Sequence, residues 1–123
     1  SVFGGTGAQR SDVDHFLPHS LMARGLPIDL DQVWNLVLSC ERCNRGEGGK
    51  FAKVPHRTYL TRISRRNEYL IGSHHPLRET LIHATGSSKA DRVKFLNAAY
   101  DTAQMVDGRT TGWKAVDEED WKF

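Results

Sequence analysis

The stretch Asp12-Val13-Asp14-His15-Phe16-Leu17-Pro18, with Val33-Trp34-Asn35-Leu36-Val37-Leu38-Ser39 and Cys40-Glu41-Arg42-Cys43-Asn44-Arg45-Gly46 behind it, decides how this chain folds. From Asp12 to Leu17, Val13 and His15 alternate against Asp12, Asp14 and Phe16, the two-residue period of a short strand. Pro18 lacks the N–H that a ladder needs and ends it. Residues 19–32 form a connection with room for one helical turn before Gly25 and Pro27. Val33 to Ser39, rich in large and β-branched side chains, reads as a second strand. The Cys40–Gly46 stretch then makes a tight turn that leads into a helix. The order is strand, strand, helix.

Working outward, the pattern turns helical from Pro55. Tyr59, Leu60, Ile63, Leu70 and Ile71 keep helical spacing, with Arg62, Arg65 and Arg66 on a neighbouring face. Pro76 opens a short helix through Leu77, Leu81 and Ile82 that Gly86 closes. Ser88 with Asp91 three residues on resembles a capping box. It introduces an amphipathic helix whose stripe is Val93, Leu96, Ala99, Tyr100, Ala103 and Val106, ended by Gly108. Trp113 and Trp121 lie in an acidic tail expected to pack back on the body. No internal repeat is visible. The expectation is one α+β domain over 1–123: a core at about 12–54, a helical extension at about 55–108 and an acidic tail at 109–123.

Composition narrows the classes. In 123 residues, 38% hydrophobic content supplies a modest core, and 26% charge without low-complexity runs argues against wholesale disorder. No apolar run approaches the roughly 18 residues of a spanning helix, so no membrane partner is expected. Two cysteines cannot staple a small secreted domain and the opening residues lack a signal-peptide pattern, which makes a reducing, cytoplasmic setting the expectation. The net charge of +2 hides an uneven distribution. Residues 42–66 hold eight bases against one acid, Glu47, whereas residues 101–123 hold six acids against three bases. A basic middle of this kind fits a polyanion partner, or a solvated arginine-rich face.

Two adjacent residues carry candidate chemistry. Phosphodiester hydrolysis needs a base to activate water and a cation to take up charge at the phosphate. Asp14 offers a hard oxygen suited to Mg²⁺ or Mn²⁺, and His15 has the intrinsic pKa of a general base. Alone, an Asp-His pair is commonly surface decoration, an Asn-Leu-Val run is a strand, and a Cys-x-x-Cys pair is half a zinc site.

Joined in this order and spacing, Asp14-His15-x-x-Pro18, Asn35-Leu36-Val37 and Cys40-x-x-Cys43-Asn44 resemble the HNH endonuclease family over roughly 40 residues. The resemblance implies a ββα-metal core buttressed by the later helices. It implies Mg²⁺ or Mn²⁺ held by Asp14 and Asn44, His15 as general base, and Asn35 tying the connecting loop to the backbone and helping to orient the histidine. The implied reaction is one-metal, in-line hydrolysis of DNA with low sequence specificity, leaving a 5′-phosphate and a 3′-hydroxyl. Arg45, Lys50, Lys53, Arg62, Arg65 and Arg66 follow the motif and are candidates for phosphate contacts, which fix position without reading sequence. The family setting is bacterial restriction, phage defence or mobile elements, with further domains of a larger protein or a second copy as partners.

Two departures shape the alternatives. Many relatives have lysine where this chain has Glu47, an acid close to the phosphate site. That favours the rival reading, a catalytically inactive HNH-like module that binds nucleic acid. A further rival is a protein-interaction domain using the acidic tail. Cys40 and Cys43 supply half of a tetrahedral structural zinc site, with His56, His74, His75 and His83 at other spacings. His19, close to the catalytic motif, is expected to pack or touch substrate.

Overall fold

A computed structural model describes residues 11–40 and 53–108. Among them the order is β1 (Ser11–His15), α1 (Ser20–Ala23), a 3-10 turn at Val33–Asn35, β2 (Leu36–Cys40), α2 (Tyr59–Gly72), α3 (Arg78–Thr85) and α4 (Lys89–Asp107). This is an α+β arrangement in which a two-stranded antiparallel sheet lies beside a helical body. The register runs from Ser11 opposite Cys40 to His15 opposite Leu36, with Asp14 opposite Val37.

Both strands differ from the sequence expectation at one end. β1 stops at His15 rather than Leu17, because Phe16 and Leu17 leave the sheet and enter the core. The Phe16 N–H donates to the Asn35 carbonyl at 2.7 Å, which closes the ladder. Val33–Asn35 winds into the 3-10 turn instead of opening β2, and this sends Trp34 inward. The helix expected after β2 would fall on residues 41–52, which lie outside the described residues.

The core has a physical logic that starts with Trp34. Its ring meets Phe95 of α4 edge to face, centroids 5.1 Å apart, the geometry that the ring quadrupoles favour. Phe16, Leu17, Leu21, Leu30, Ile63, Leu81 and Tyr100 are buried in the same core. Helices α2, α3 and α4 pack on one another, α2 and α3 also meet the 3-10 turn, and α1 rests on α4. The Tyr100 hydroxyl reaches a partner by donating to the Pro55 carbonyl at 2.6 Å, and burial pushes its pKa up.

Helix ends follow local chemistry. The Ser88 hydroxyl accepts from the Asp91 N–H at 3.1 Å, and Gly108 closes α4 in the left-handed region at φ 79°. Arg24 reaches across the chain to donate to the Val106 carbonyl at 2.9 Å, and its guanidinium lies 3.6 Å from the Asp107 carboxylate. Helix α4 departs from the expected stripe: Val93 is 39% exposed, and Arg92 takes the inward position. There Arg92 forms a two-pronged ion pair with Glu68 of α2 at 2.6 and 2.9 Å. The hydrogen bond from Arg92 holds the Glu68 carboxyl below its ordinary value of 4.5, and the same bond raises Arg92. Among the described residues no helix is long and apolar enough to cross a membrane.

Candidate active site

The loop from Phe16 to Gln32 is held shut by one buried amide. Asn35 is fully buried; its Oδ1 accepts from the Leu17 N–H at 2.8 Å, and its Nδ2 donates to the carbonyls of Leu17 and Leu30, each at 3.0 Å. These backbone groups are closed to water, so a side chain must satisfy them. Asparagine does so because it carries an acceptor and two donors on one short stem.

With the loop clamped, its far end returns over the end of β1. Asp14, half-buried, accepts from the His15 N–H at 2.8 Å. His15 is 28% exposed, and its Nε2 lies 3.0 Å from Oδ1 of Asp31. His19, more exposed, sets its Nε2 3.3 Å from Oδ2 of the same carboxylate. The two imidazoles stand 5.1 Å apart at 53°. Asp31 was not singled out from the sequence. Only the acid-bearing run Asp29-Leu30-Asp31-Gln32 hinted at it, and nothing local distinguishes Asp31 from Asp29.

The loop supports Asp31 from both sides. The Asp31 N–H donates to Oδ1 of Asp29 at 2.9 Å, and Gln32 donates to the other Asp29 oxygen at 2.9 Å. The bond from Gln32, with the backbone bond from Asp31 second, holds the Asp29 carboxyl below its usual range. Leu30 is fully buried and anchored through Asn35.

The fold thus brings Asp14, His15 and Asn35 to one end of the sheet, with His19 and Asp31 beside them. Asn44, Arg45, Lys50, Cys43 and the side chain of Cys40 lie outside the described residues, as does Glu47. Among the described residues no group of three His, Cys, Asp or Glu is arranged to hold a metal ion. Asp14 offers a hard oxygen there of the kind Mg²⁺ or Mn²⁺ takes alongside water and phosphate.

The basic residues separate into distinct environments. Arg65 is exposed on α2, Lys53 is half-buried, and Arg62 lies over the Tyr59 ring with its guanidinium carbon 5.0 Å from the centroid. Arg66 departs from the expectation of a phosphate contact. Its Nη1 donates to the Leu36 carbonyl at 2.7 Å, and its Nη2 to the carbonyls of Val33 and Trp34 at 3.3 Å. Burial pulls its pKa down to about 10. It braces the 3-10 turn from inside, and a guanidinium so engaged is turned away from any polymer on the surface.

A cleft of about 820 Å³ includes Trp34, Ile82, His83 and Phe95 in its wall and shares the loop through Asp29 and Gln32. Its lining contains neither Asp14 nor His15. Comparison with protein-family models, curated protein sequences and solved structures gave no match.

Proposed function

We propose that the chain is a metal-dependent endonuclease that hydrolyses DNA, with a ββα-metal core of the HNH type. The observation that supports this most is the pairing, at one sheet end, of an acceptor carboxylate on Asp14 with an adjacent imidazole on His15. A buried asparagine clamp holds the facing loop in register with them. This provides a hard-oxygen donor and a fixed base within one strand's length, at an edge that a duplex can approach.

In this reading the His15 imidazole takes a proton from water as that water attacks phosphorus. The P–O3′ bond breaks, leaving a 5′-phosphate and a 3′-oxyanion that takes a proton from solvent water to become the 3′-hydroxyl. Asp14, with Asn44, would hold Mg²⁺ or Mn²⁺; when bound, the cation offsets charge that develops on the phosphate and the leaving oxygen. Arg65, Lys53 and Arg62, with Arg45 and Lys50, would contact phosphates, and their contribution fades with added salt. Arg66 serves the fold instead.

The test is supercoiled plasmid incubated with the protein in EDTA, Mg²⁺ or Mn²⁺, beside His15→Ala. Nicked or linear product that requires metal and vanishes in the variant is the expected result. Intact plasmid in every lane refutes the reading. Glu47 favours a second reading, in which the scaffold binds DNA without cutting it; a mobility shift at low salt with intact plasmid would select it.

A further inference from the structure

Asp31 carries no role in the sequence pattern, yet its carboxylate is the meeting point of two imidazoles that lie 16 and 12 residues away in the chain. An ionised carboxylate only accepts hydrogen bonds. At 3.0 Å from Oδ1, the Nε2 of His15 must therefore be the protonated nitrogen, and in the neutral ring the lone pair falls on Nδ1. His19 engages the second oxygen, so the carboxylate is gripped at both ends and its plane is fixed.

We infer that Asp31 is the positioning residue of the site: it fixes the tautomer and ring orientation of His15 so that Nδ1 is the nitrogen that accepts the proton of the attacking water. This rests on the reading of His15 as the general base. A ring with no such partner divides between two tautomers and rotates about its χ angles, and only one tautomer presents the lone pair on a given side. A carboxylate behind the ring removes both freedoms.

The loop is built to deliver this carboxylate. Asp29 and Gln32 fold around Asp31 through its own backbone N–H, and Asn35 pins the preceding carbonyl of Leu30. The side chain itself is 57% exposed, so substituting it removes the acceptor without opening the core.

The test has two arms. In the first, long-range ¹H–¹⁵N correlation spectra of histidine-labelled protein are recorded where His15 is neutral. The wild type is expected to show the Nε2–H form. Asp31→Leu, which keeps the shape and removes both acceptor oxygens, is expected to give a mixture or the Nδ1–H form. The same spectra report whether the fold is kept.

In the second arm, plasmid cleavage by Asp31→Leu is expected to fall about 10- to 100-fold in kcat, with KM little changed, the usual cost of losing an outer partner. Asp31→Asn, which keeps one acceptor oxygen, restores part of the rate. An Nδ1–H wild type, a tautomer unmoved in Asp31→Leu, or an unchanged kcat in that variant overturns the proposal. If the wild type cuts nothing while the Nε2–H signal is present and lost in Asp31→Leu, the nuclease reading falls and the assignment of Asp31 as the residue that fixes the His15 tautomer stands.

Discussion

Replacing Asn35 by alanine tests whether one amide holds the loop over the site. The change orphans three backbone groups at once: the Leu17 N–H, the Leu17 carbonyl and the Leu30 carbonyl. Leu17 and Leu30 are 1% and 0% exposed, so water cannot readily replace the lost bonds. Each orphaned buried group costs about 1–3 kcal/mol, which puts the total near 3–9 kcal/mol. Since a domain is stable by about 5–15 kcal/mol, Asn35→Ala should bring this one close to the edge of folding. The assay is urea unfolding at neutral pH, with thermal melting beside it. A midpoint lowered by about 12–36 °C is expected from about 4 °C per kcal/mol in a domain near this size. Asn35→Asp separates shape from chemistry. It still accepts from the Leu17 N–H, but its second oxygen faces two carbonyls in place of the donor, so its loss should be at least as large. A loss below about 1 kcal/mol for Asn35→Ala would refute the reasoning, because the three groups would then have other partners.

The same unfolding assay checks further expectations. Arg66→Met should cost about 2–4 kcal/mol, because three carbonyls around the 3-10 turn lose a charged donor; a neutral result would mean the brace is idle. The Glu68–Arg92 pair makes stability pH-dependent in acid. Glu68 titrates below its ordinary value of 4.5 in the folded chain, so its contribution is fully present above 4.5 and drains away as pH falls through the lowered value. The stability gap between wild type and Glu68→Gln should therefore narrow on acidification below pH 4.5, and a gap that widened would have the wrong sign. Gly86→Ala should destabilise by about 1–3 kcal/mol rather than gain the usual benefit of a less flexible unfolded chain. At φ 144° its new Cβ would come within 2.8 Å of the Asp91 Cβ and 3.2 Å of the Arg92 backbone nitrogen.

Period and punctuation carried the sequence reading where neighbours in the chain are also neighbours in space. The strand pair, the turn signals at Pro18 and Gly86, and the Ser88 cap are local, and they stand within a few residues of their expected places. Phe16 and Leu17 were misplaced because alternation cannot tell a strand residue from one that leaves the sheet for the core. On α4, Arg92, Leu96, Ala99 and Ala103 form the inward stripe at helical spacing, whereas apolarity alone points to Val93, one position off it. By spacing Arg66 falls with Arg62 and Arg65 among the candidate phosphate contacts. Its use became visible only when the 3-10 turn was packed beside α2, since three carbonyls of another segment define it. Asp31 is the same case at the site. Its partners lie 16 and 12 residues away, and only the closure of the loop by Asn35 brings the three side chains together.

The reach of Arg24 to the end of α4 bears on how the chain is made. Its partners, the Val106 carbonyl and the Asp107 carboxylate, are synthesised more than eighty residues after the arginine itself. The loop that begins at Phe16 therefore emerges early and waits for its last tether until almost the whole helical body has followed. During that interval Leu17, Leu21 and Leu30 lack the surface that finally covers them, and distant contacts form only after the entropy of a long closure has been met. A ribosome paused before Val106 would hold a nascent chain in which His15 and Asp31 have both been translated but the loop between them still lacks its Arg24 tether to α4. Completion of α4, rather than the appearance of His15 and Asp31, sets when the Arg24 end of the loop is tied down.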